Sequence, residues 1–385
     1  MSLQFITGNS GNGKTKYLFN RIVKEAKANP RDNYLVIVPE QFTMQTQRQL
    51  VDLSENKAIM NIDVLSFKRL AYRVFDELGI TNLTVLEETG KNLVLRKLAA
   101  QEADKLGVIG RNLNRIGYIS EVKSLLSELV QYNISPEELG RYIASGRLSD
   151  TLSDKLKDVL VLYEAFEKFM QDKYITAEEI LNELSNVAEE SAILRNSVIA
   201  FDEFTGFTPI QNQLIKKLFV ISKKIYVTLT IDCREDIFKS RGMQELFDMP
   251  KRTVKSLTEM AAFYGIEVEE PIILDKNYRL AENEELSFME QQLFRKRRCS
   301  FKKAPKHIHI DCLRDPKQEL TKIARRINEL VRNENLRYRD IAIVTGDVNI
   351  YAGYVREIFD KYNIPYFIDA TQAVSYTHLT LPTNS

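Results

Sequence analysis

The fold is decided by the stretch Gly8-Asn9-Ser10-Gly11-Asn12-Gly13-Lys14-Thr15, which fits the phosphate-loop pattern G-x-x-x-x-G-K-[ST] at every position. Leu3, Phe5 and Ile6 just before it predict a short buried strand, and residues 16–23 just after it begin a helical pattern. The glycines allow the backbone to turn its N–H groups around a phosphate, and the N-terminus of the following helix attracts negative charge. A chance glycine-rich turn is the alternative, and it explains neither the strand nor the helix. The stretch therefore predicts a nucleotide-binding loop.

A second stretch carries carboxylates that would complete such a site. Residues 198–201 predict an apolar strand, and Asp202 and Glu203 follow it directly. Beside the phosphate loop, Lys14 would reach the terminal phosphates, while the Thr15 hydroxyl and Asp202 would hold Mg²⁺. Glu203 would orient or deprotonate an attacking water. Acids at a solvated strand end are the alternative, and the complete phosphate loop favours the nucleotide site.

Composition is that of an ordinary globular protein. The chain has 385 residues, 44% hydrophobic and 28% charged, enough for two or three domains. Its 54 Lys and Arg nearly balance 53 Asp and Glu, so contact with nucleic acid must come from local patches or a partner. Cys233, Cys299 and Cys312 lack metal-ligand spacing, the chain starts in a strand instead of an export leader, and no apolar run is long enough for a membrane span. We expect a cytoplasmic protein.

The order of the predicted elements indicates one doubly wound α/β domain that is interrupted by an insertion. Further strands are predicted at residues 34–38, 59–64 and 224–231, and a helix at 209–219. Residues 86–196, in contrast, show helical periodicity almost throughout. We therefore expect residues 1–85 and 197–275 to form a nucleotide-binding domain with a parallel sheet, and residues 86–196 to form an all-helical insertion.

A second α/β unit is predicted over residues 276–372. Its strands are predicted at 307–312 and 341–345, and its helices at 319–331 and 351–362. Residues 373–385 have no periodicity and resemble translated cloning sequence, so we predict a non-native tail there.

Taken in order, the motifs resemble the N-terminal part of the AddB family, which belongs to bacterial ATP-dependent helicase/nuclease complexes. The resemblance runs from residue 1 to Asp369. Besides the phosphate loop, it rests on Val38-Pro39-Glu40-Gln41-Phe42-Thr43, Ser66-Phe67-Lys68-Arg69-Leu70-Ala71-Tyr72, Phe207-Thr208-Pro209, Asp340-Ile341-Ala342-Ile343 and Ile364-Pro365-Tyr366-Phe367-Ile368-Asp369.

The resemblance implies ATP and Mg²⁺ as ligands, the AddA helicase/nuclease protein as partner, and single-stranded and duplex-end DNA as binding targets. It further implies scanning for the Chi sequence during double-strand break repair by homologous recombination. The nuclease domain and iron–sulfur cluster of the family are expected only in a C-terminal region that this chain does not contain. More distantly, the chain is similar to superfamily-one helicases of the UvrD type. The implied fold is a P-loop NTPase of RecA-like type, followed by a partial second RecA-like domain.

By the same resemblance, six side chains are expected to contact DNA: Gln41, Thr43, Phe67, Arg69, Tyr72 and Phe207. Amide, hydroxyl, aromatic and guanidinium groups suit base edges, stacking and phosphates. A core position is the equal alternative for Phe67 and Phe207. Asn277-Tyr278-Arg279 resembles a helicase motif whose arginine approaches the γ-phosphate, so Arg279 is a candidate charge stabiliser.

Three functions from different classes remain open. The first is an ATP-binding, DNA-scanning fragment of an AddB protein. The second is an active DNA-dependent ATPase or helicase, which Glu203 favours and which the missing adenine-selecting glutamine motif opposes. The third is a P-loop kinase of small molecules, which explains neither the helical insertion nor the second α/β unit.

Overall fold

A parallel β-sheet of seven strands organises the first part of the chain in the computed structural model. The strands are β1 (Ser2–Gly8), β2 (Tyr34–Ile37), β3 (Ile62–Leu65), β4 (Val198–Phe201), β5 (Lys224–Thr230), β6 (Glu267–Val268) and β7 (Ile272–Leu274). Their order is β3-β2-β4-β5-β1, with β6 and β7 both paired to β1, and each of these pairings is parallel. The predicted α/β class with a parallel sheet is confirmed.

The structure describes residues 1–81, 84–107, 116–146, 148–171, 174–295 and 299–369. The chain forms two units, Met1–Arg298 and Cys299–Ser385. The tail predicted at residues 373–385 lies outside the described residues. Within the described ranges, no helix combines the length and apolar composition that crossing a membrane requires.

Helices cover both faces of the sheet, which explains the continuous apolar runs of its strands. The helices of the first unit are α1 (Lys14–Ala28), α2 (Thr43–Leu53), α3 (Phe67–Leu78), α4 (Glu88–Gln101), α5 (Ile116–Gln131), α6 (Pro136–Ala144), α7 (Asp150–Met170), α8 (Ile180–Val187), α9 (Pro209–Ile221), α10 (Asp248–Phe263) and α11 (Glu284–Gln292), of which six cover the sheet. Helices α1 and α2 pack on one face through Leu18, Ile22 and Leu50. Helices α3, α8, α9 and α10 pack on the other. Because both faces are buried, alternating polar positions would cost stability.

In the part of the chain between β3 and β4 that the structure describes, the regular elements are helices. Helices α4, α5 and α7 build a hydrophobic core of their own around Leu95, Leu126, Leu162 and Phe166. Among the described residues of this stretch, the only strand-like pairing is a single bridge from Ile175 to Val85.

Details of the sheet differ from the sequence prediction. Strand β3 begins at Ile62 instead of residue 59, because the chain bends at residues 60 and 61 before the strand. Strands β6 and β7 were not predicted, because runs of two and three residues are too short to show alternation. Both pair with β1, so they extend the sheet on the side of β1 opposite to β5.

The second unit contains α12 (Pro316–Asn333) and α13 (Val348–Lys361). The two helices pack through Leu320, Ala324, Ile358 and Phe359, and their prediction is confirmed. The strands predicted at 307–312 and 341–345 are wrong for this structure, since no described residue of the unit is assigned to a strand. An apolar run becomes a strand only when a neighbour supplies ladder hydrogen bonds.

Candidate nucleotide site and nucleic-acid edge

The phosphate-loop sequence forms the turn between β1 and α1. Gly11 and Gly13 adopt left-handed backbone angles, with φ of 89° and 80°, which glycine reaches without steric cost. Gly13 is the N-cap of α1, so the unpaired N–H groups of the first helical turn follow directly. The Lys14 ammonium donates to the carbonyl oxygens of Gly8 and Asn9, each at 3.0 Å. The N-terminus of α1 and the Lys14 ammonium can therefore both attract an anion.

A cavity of about 740 Å³ opens in front of this loop. It is lined by residues from the loop, α1, α2, the ends of β4 and β5, and the segment after β7: Ser10, Gly11, Gly13, Lys14, Thr15, Lys16, Phe19, Gln49, Asp52, Leu53, Asp202, Glu203, Phe204, Thr205, Thr228, Thr230, Tyr278 and Arg279. The volume suits a ligand of nucleotide size. Most of the side chains predicted for the nucleotide site are thus gathered around one space.

Asp202 and Glu203 lie next to each other in sequence but in different environments. Asp202 is 1% exposed, and its Oδ1 accepts a hydrogen bond from the Thr228 hydroxyl. Its Oδ2 is buried and has no partner among the described residues. Burial raises the pKa of the Asp202 carboxyl, and neighbouring Glu203 raises it further, although the hydrogen bond from Thr228 opposes this. A buried carboxylate oxygen without a protein partner is suited to binding a cation or accepting a hydrogen bond from a ligand.

Glu203 is exposed and has a φ of 64°, a backbone angle that side chains other than glycine, Asn and Asp seldom adopt. Its Oε1 accepts a hydrogen bond from the Thr15 hydroxyl over 3.3 Å. Strain of this kind is retained where the surrounding structure fixes a side chain for a purpose. The hydrogen bond shows that Thr15 of the phosphate loop and Glu203 after β4, both predicted for one site, lie next to each other.

The oxygen atoms present fit Mg²⁺ held jointly with a phosphate. Thr15 supplies a hydroxyl and Asp202 a buried carboxylate oxygen, both hard ligands. Within the described ranges, no cluster of three or more His, Cys, Asp or Glu side chains could hold a metal by itself. The donor set therefore suits an ion that takes its other ligands from a nucleotide and water.

Lys14 is the lysine of the phosphate loop, and it lines the cavity together with Lys16 and Arg279. Burial lowers the pKa of its ammonium group, while Glu203 and Asp202 oppose this by favouring the charged form. Arg279, which also lines the cavity, adds a smaller lowering of the same pKa. A triphosphate in the cavity would restore the favourable electrostatic environment of the ammonium.

The segment Asn277-Tyr278-Arg279 lies against the phosphate loop. Asn277 Nδ2 donates to Ser10 O at 3.0 Å, and Tyr278 N donates to Gly11 O at 3.0 Å. Arg279 Nη1 lies 3.3 Å from Ser10 Oγ. The structure therefore places Arg279, the predicted charge stabiliser, at the rim of the cavity in front of the phosphate loop.

The residues predicted to contact DNA follow β2, β3 and β4, three adjacent strands of the sheet. Gln41 is exposed in the short turn after β2, whereas Thr43 is buried and its hydroxyl donates to Glu40 O at 3.0 Å. Arg69 is exposed on α3 and its Nε donates to Glu40 Oε1 at 2.9 Å. The Glu40 carboxylate also accepts from the Ser66 hydroxyl, and Ser66 caps α3 as predicted. Of the three predicted contact residues Gln41, Thr43 and Arg69, only Thr43 is buried, so Gln41 and Arg69 can contact a ligand.

The aromatic residues divide into core and surface. Phe67 is 7% exposed and its ring stacks on Phe201 at 5.8 Å, with Phe207 at 6.3 Å edge-on. Phe207 is half-buried, and Tyr72 is 39% exposed. The ring of Phe67 is therefore too buried to stack on a base, whereas the ring of Tyr72 is exposed enough to do so.

Sequence reasoning gave no individual role to two residues that lie at the cavity. Thr228 holds the buried Asp202, and its only signal was a hydroxyl inside the apolar run of β5. Tyr278 lies beside the phosphate loop, where a Cβ on Gly13 would be 3.5 Å from its ring, and the ring is largely exposed. No local pattern links residue 278 with residue 13, since they are far apart in the chain.

The sheet and its loop–helix edge define an α/β protein of RecA-like arrangement. The chain belongs to the AddB family, because its residues 5–290 match the family model described as ADDB, N-terminal. It is 38% identical over 374 residues to the B subunit of the ATP-dependent helicase/deoxyribonuclease of Lachnoclostridium phytofermentans, and 34% identical over 375 residues to that of Clostridioides difficile. The protein of the same name from Clostridium tetani is 33% identical over 378 residues. Each alignment covers 96% of this chain but 32% of the relative, so the chain spans about a third of their length.

Proposed function

We propose that this chain binds ATP with Mg²⁺ and contacts single-stranded DNA as the N-terminal part of an AddB-type protein. The observation that carries the proposal is the convergence of Lys14, Thr15, Asp202 and Glu203 on one cavity in front of the phosphate loop. A basic side chain, a hydroxyl and two carboxylates beside the N-terminus of α1 suit a nucleoside triphosphate and its metal.

Each group has a distinct task in this proposal. Residues 8–15 hold the phosphates through backbone N–H groups, and Lys14 neutralises the terminal ones. Thr15 and Asp202 hold Mg²⁺, which supplies charge neutralisation to the phosphates when bound. If ATP is hydrolysed, as in the second candidate function below, Glu203 would orient or deprotonate the attacking water, and Arg279 would stabilise the charge that develops on the phosphate.

DNA would lie along the edge formed by the ends of β2, β3 and β4. Gln41 and Arg69 are exposed there beside the exposed Glu40, and Tyr72 and Phe207 supply aromatic surface for stacking, worth about 1–3 kcal/mol per base. Phe67 packs in the core beneath them, and Thr43 fixes the turn that presents Gln41. The nucleotide cavity and this edge share the loop that follows β4, so the two ligands would lie close together.

The larger role is inferred from the relatives. Their names describe the B subunit of an ATP-dependent helicase/deoxyribonuclease. For this chain we infer an AddA-type partner, DNA ends as the target, Chi scanning during recombinational repair, and a cytoplasmic location. Residues 1–85 and 197–275 would be the first RecA-like domain, 86–196 its helical insertion, and 276–372 part of a second. The nuclease and iron–sulfur chemistry would belong to the two-thirds of the relatives that this chain does not match.

A second candidate function is a DNA-dependent ATPase, favoured by the exposed Glu203 carboxylate beside Thr15. A steady-state ATPase assay with and without single-stranded DNA separates the two, using the unsubstituted chain, Lys14→Ala and Glu203→Gln. ATP binding without DNA-stimulated turnover is the result expected for a scanning protein. Turnover that DNA stimulates and that both substitutions abolish would establish the ATPase instead.

A further inference from the structure

Residues 275–279, which we call the strap, follow β7 and run directly along the phosphate loop. The approach is close: a Cβ on Gly11 would lie 2.7 Å from Arg279 Cβ and 2.8 Å from Asn277 Oδ1. Real side-chain carbons do not come that near, so only glycine at position 11 allows the strap to reach the loop. The strap and the phosphate loop are therefore in direct contact at Gly11.

The strap holds two consecutive peptide groups of the loop by their oxygen atoms. Asn277 Nδ2 donates to Ser10 O at 3.0 Å, and Tyr278 N donates to Gly11 O at 3.0 Å. A trans peptide is planar, with its C=O and N–H on opposite sides. Since Ser10 O faces the strap, the Gly11 N–H of the same peptide faces away from it. Gly11 itself lines the nucleotide cavity together with Lys14.

We propose that Asn277 is a positioning residue, which fixes the Ser10–Gly11 peptide so that the Gly11 N–H is aimed at the polyphosphate of a bound nucleoside triphosphate. The inference rests on the proposed nucleotide-binding function. Asn277 does not line the cavity, so its side chain would act on the ligand indirectly, by holding the phosphate loop. A peptide held in its binding orientation before the ligand arrives loses less entropy on binding.

The local geometry gives Asn277 one way to act. Its Oδ1 accepts a hydrogen bond from Leu280 N at 3.0 Å, which leaves Nδ2 as the atom facing Ser10 O. Asn283 provides a matched comparison, because its Oδ1 accepts from Leu286 N at 3.0 Å in the same i to i+3 pattern. Asn283 caps α11 and has no bond to the phosphate loop among the contacts described.

The test substitutes serine at each position. A Ser hydroxyl can replace Asn as acceptor from the i+3 N–H, but it carries no group that reaches Ser10 O. The full chain, Asn277→Ser and Asn283→Ser are titrated with Mg²⁺-ATP and, in competition, with inorganic triphosphate. Thermal unfolding without nucleotide shows whether each variant is folded.

We expect Asn277→Ser to raise the Kd for ATP about tenfold, the effect of one weakened hydrogen bond to a charged group. The Kd for inorganic triphosphate should rise by a similar factor, because the N–H contacts phosphate and not the base. Asn283→Ser should leave both values within about twofold.

Unchanged ATP affinity in a folded Asn277→Ser variant would overturn the inference while leaving the proposed function intact. A loss confined to ATP, with triphosphate affinity retained, would also overturn it, because the strap would then act on the base. If the unsubstituted chain bound neither ligand, the proposed function would fail, and this inference with it.

Discussion

The hydroxyl of Thr15 donates a hydrogen bond to Oε1 of Glu203 over 3.3 Å, joining the first turn of α1 to the turn that follows β4. The two residues are 188 positions apart in sequence. They meet because β1 and β4 lie on either side of β5 in one parallel sheet, so their carboxyl ends share an edge.

The buried Asp202 carboxylate is expected to lower the stability of the folded chain when no ligand is bound. Its pKa is raised by burial, so the folded state disfavours the charged carboxylate. Asp202→Asn should therefore raise the free energy of unfolding at neutral pH by about 1 kcal/mol. The gain should shrink as the pH falls into the range in which the folded chain protonates Asp202. Chemical denaturation across pH, with a Mg²⁺-ATP titration, checks both the gain and the expected loss of binding.

Asp232 is the matched control, since it is equally buried at 1% exposure but ion-paired with Arg234 and Arg295. Despite its burial, hydrogen bonds from Arg234 lower the pKa of Asp232 to about 2. Its stabilisation should therefore be present above the unfolded pKa and be lost as pH falls toward 2. Asp232→Asn should destabilise the chain by about 2 kcal/mol. Equal effects of the two substitutions would refute this assignment.

Gly11 and Gly79 both have positive φ angles, 89° and 69°, but differ in their surroundings. A Cβ on Gly79 would meet no atom within 4 Å, whereas one on Gly11 would collide with the strap. Gly79→Ala should cost about 1 kcal/mol of stability from backbone strain alone. Gly11→Ala should cost more and should weaken ATP binding at least tenfold, measured by calorimetric titration. ATP affinity equal in both variants would contradict the contact between loop and strap.

Arg69 should contribute to DNA binding more than its neighbour one turn along α3. Arg69→Ala is expected to weaken binding of labelled single-stranded DNA and to reduce the salt dependence of that binding, while leaving ATP affinity unchanged. Arg73 has similar exposure, 55% against 57%, so Arg73→Ala removes the same charge without the contact to Glu40. Glu40→Gln should strengthen DNA binding, because it frees the Arg69 guanidinium from a competing carboxylate. A parallel loss of nucleotide affinity in Arg69→Ala would show that Arg69 is structural.

Phe67 tests the division between core and DNA surface. Phe67→Ala should lower the free energy of unfolding by about 3–5 kcal/mol, the usual cost of emptying an aromatic site in a core. The exposed Phe263 is the control, and Phe263→Ala should change stability by about 0.5 kcal/mol or less. The milder Phe67→Leu should keep the DNA affinity of the folded chain. A tenfold loss of DNA affinity in a stable Phe67→Leu variant would instead assign the ring to the DNA contact.

Much of the sheet could be predicted because its signals are local. The run of β2 is apolar at every position because both of its faces are covered, and Ser66 caps α3 as its sequence position indicates. The phosphate loop was predictable because few other folds need that spacing of glycines before Lys14. The role of the strap was harder to predict. The helicase-like motif at residues 277–279 suggested Arg279, but the hydrogen bond from Asn277 to Ser10 depends on the pairing between β7 and β1. A three-residue strand is too short to show a periodic pattern in the sequence. The burial of Phe67 was not predictable either, because it depends on stacking against Phe201 of β4, which is distant in sequence.

The central claim is that Lys14 and its loop form a nucleotide site. Equilibrium titration of the full chain with Mg²⁺-ATP tests it most directly, with Lys14→Ala as the variant and Lys24→Ala as the control. Lys24 is an exposed lysine of the same helix and is not part of the cavity lining. We predict saturable binding that Lys14→Ala weakens by about a hundredfold or more, the loss of a buried ion pair with phosphate, and that Lys24→Ala leaves unchanged. Absence of binding, or equal affinity in Lys14→Ala, would contradict the account.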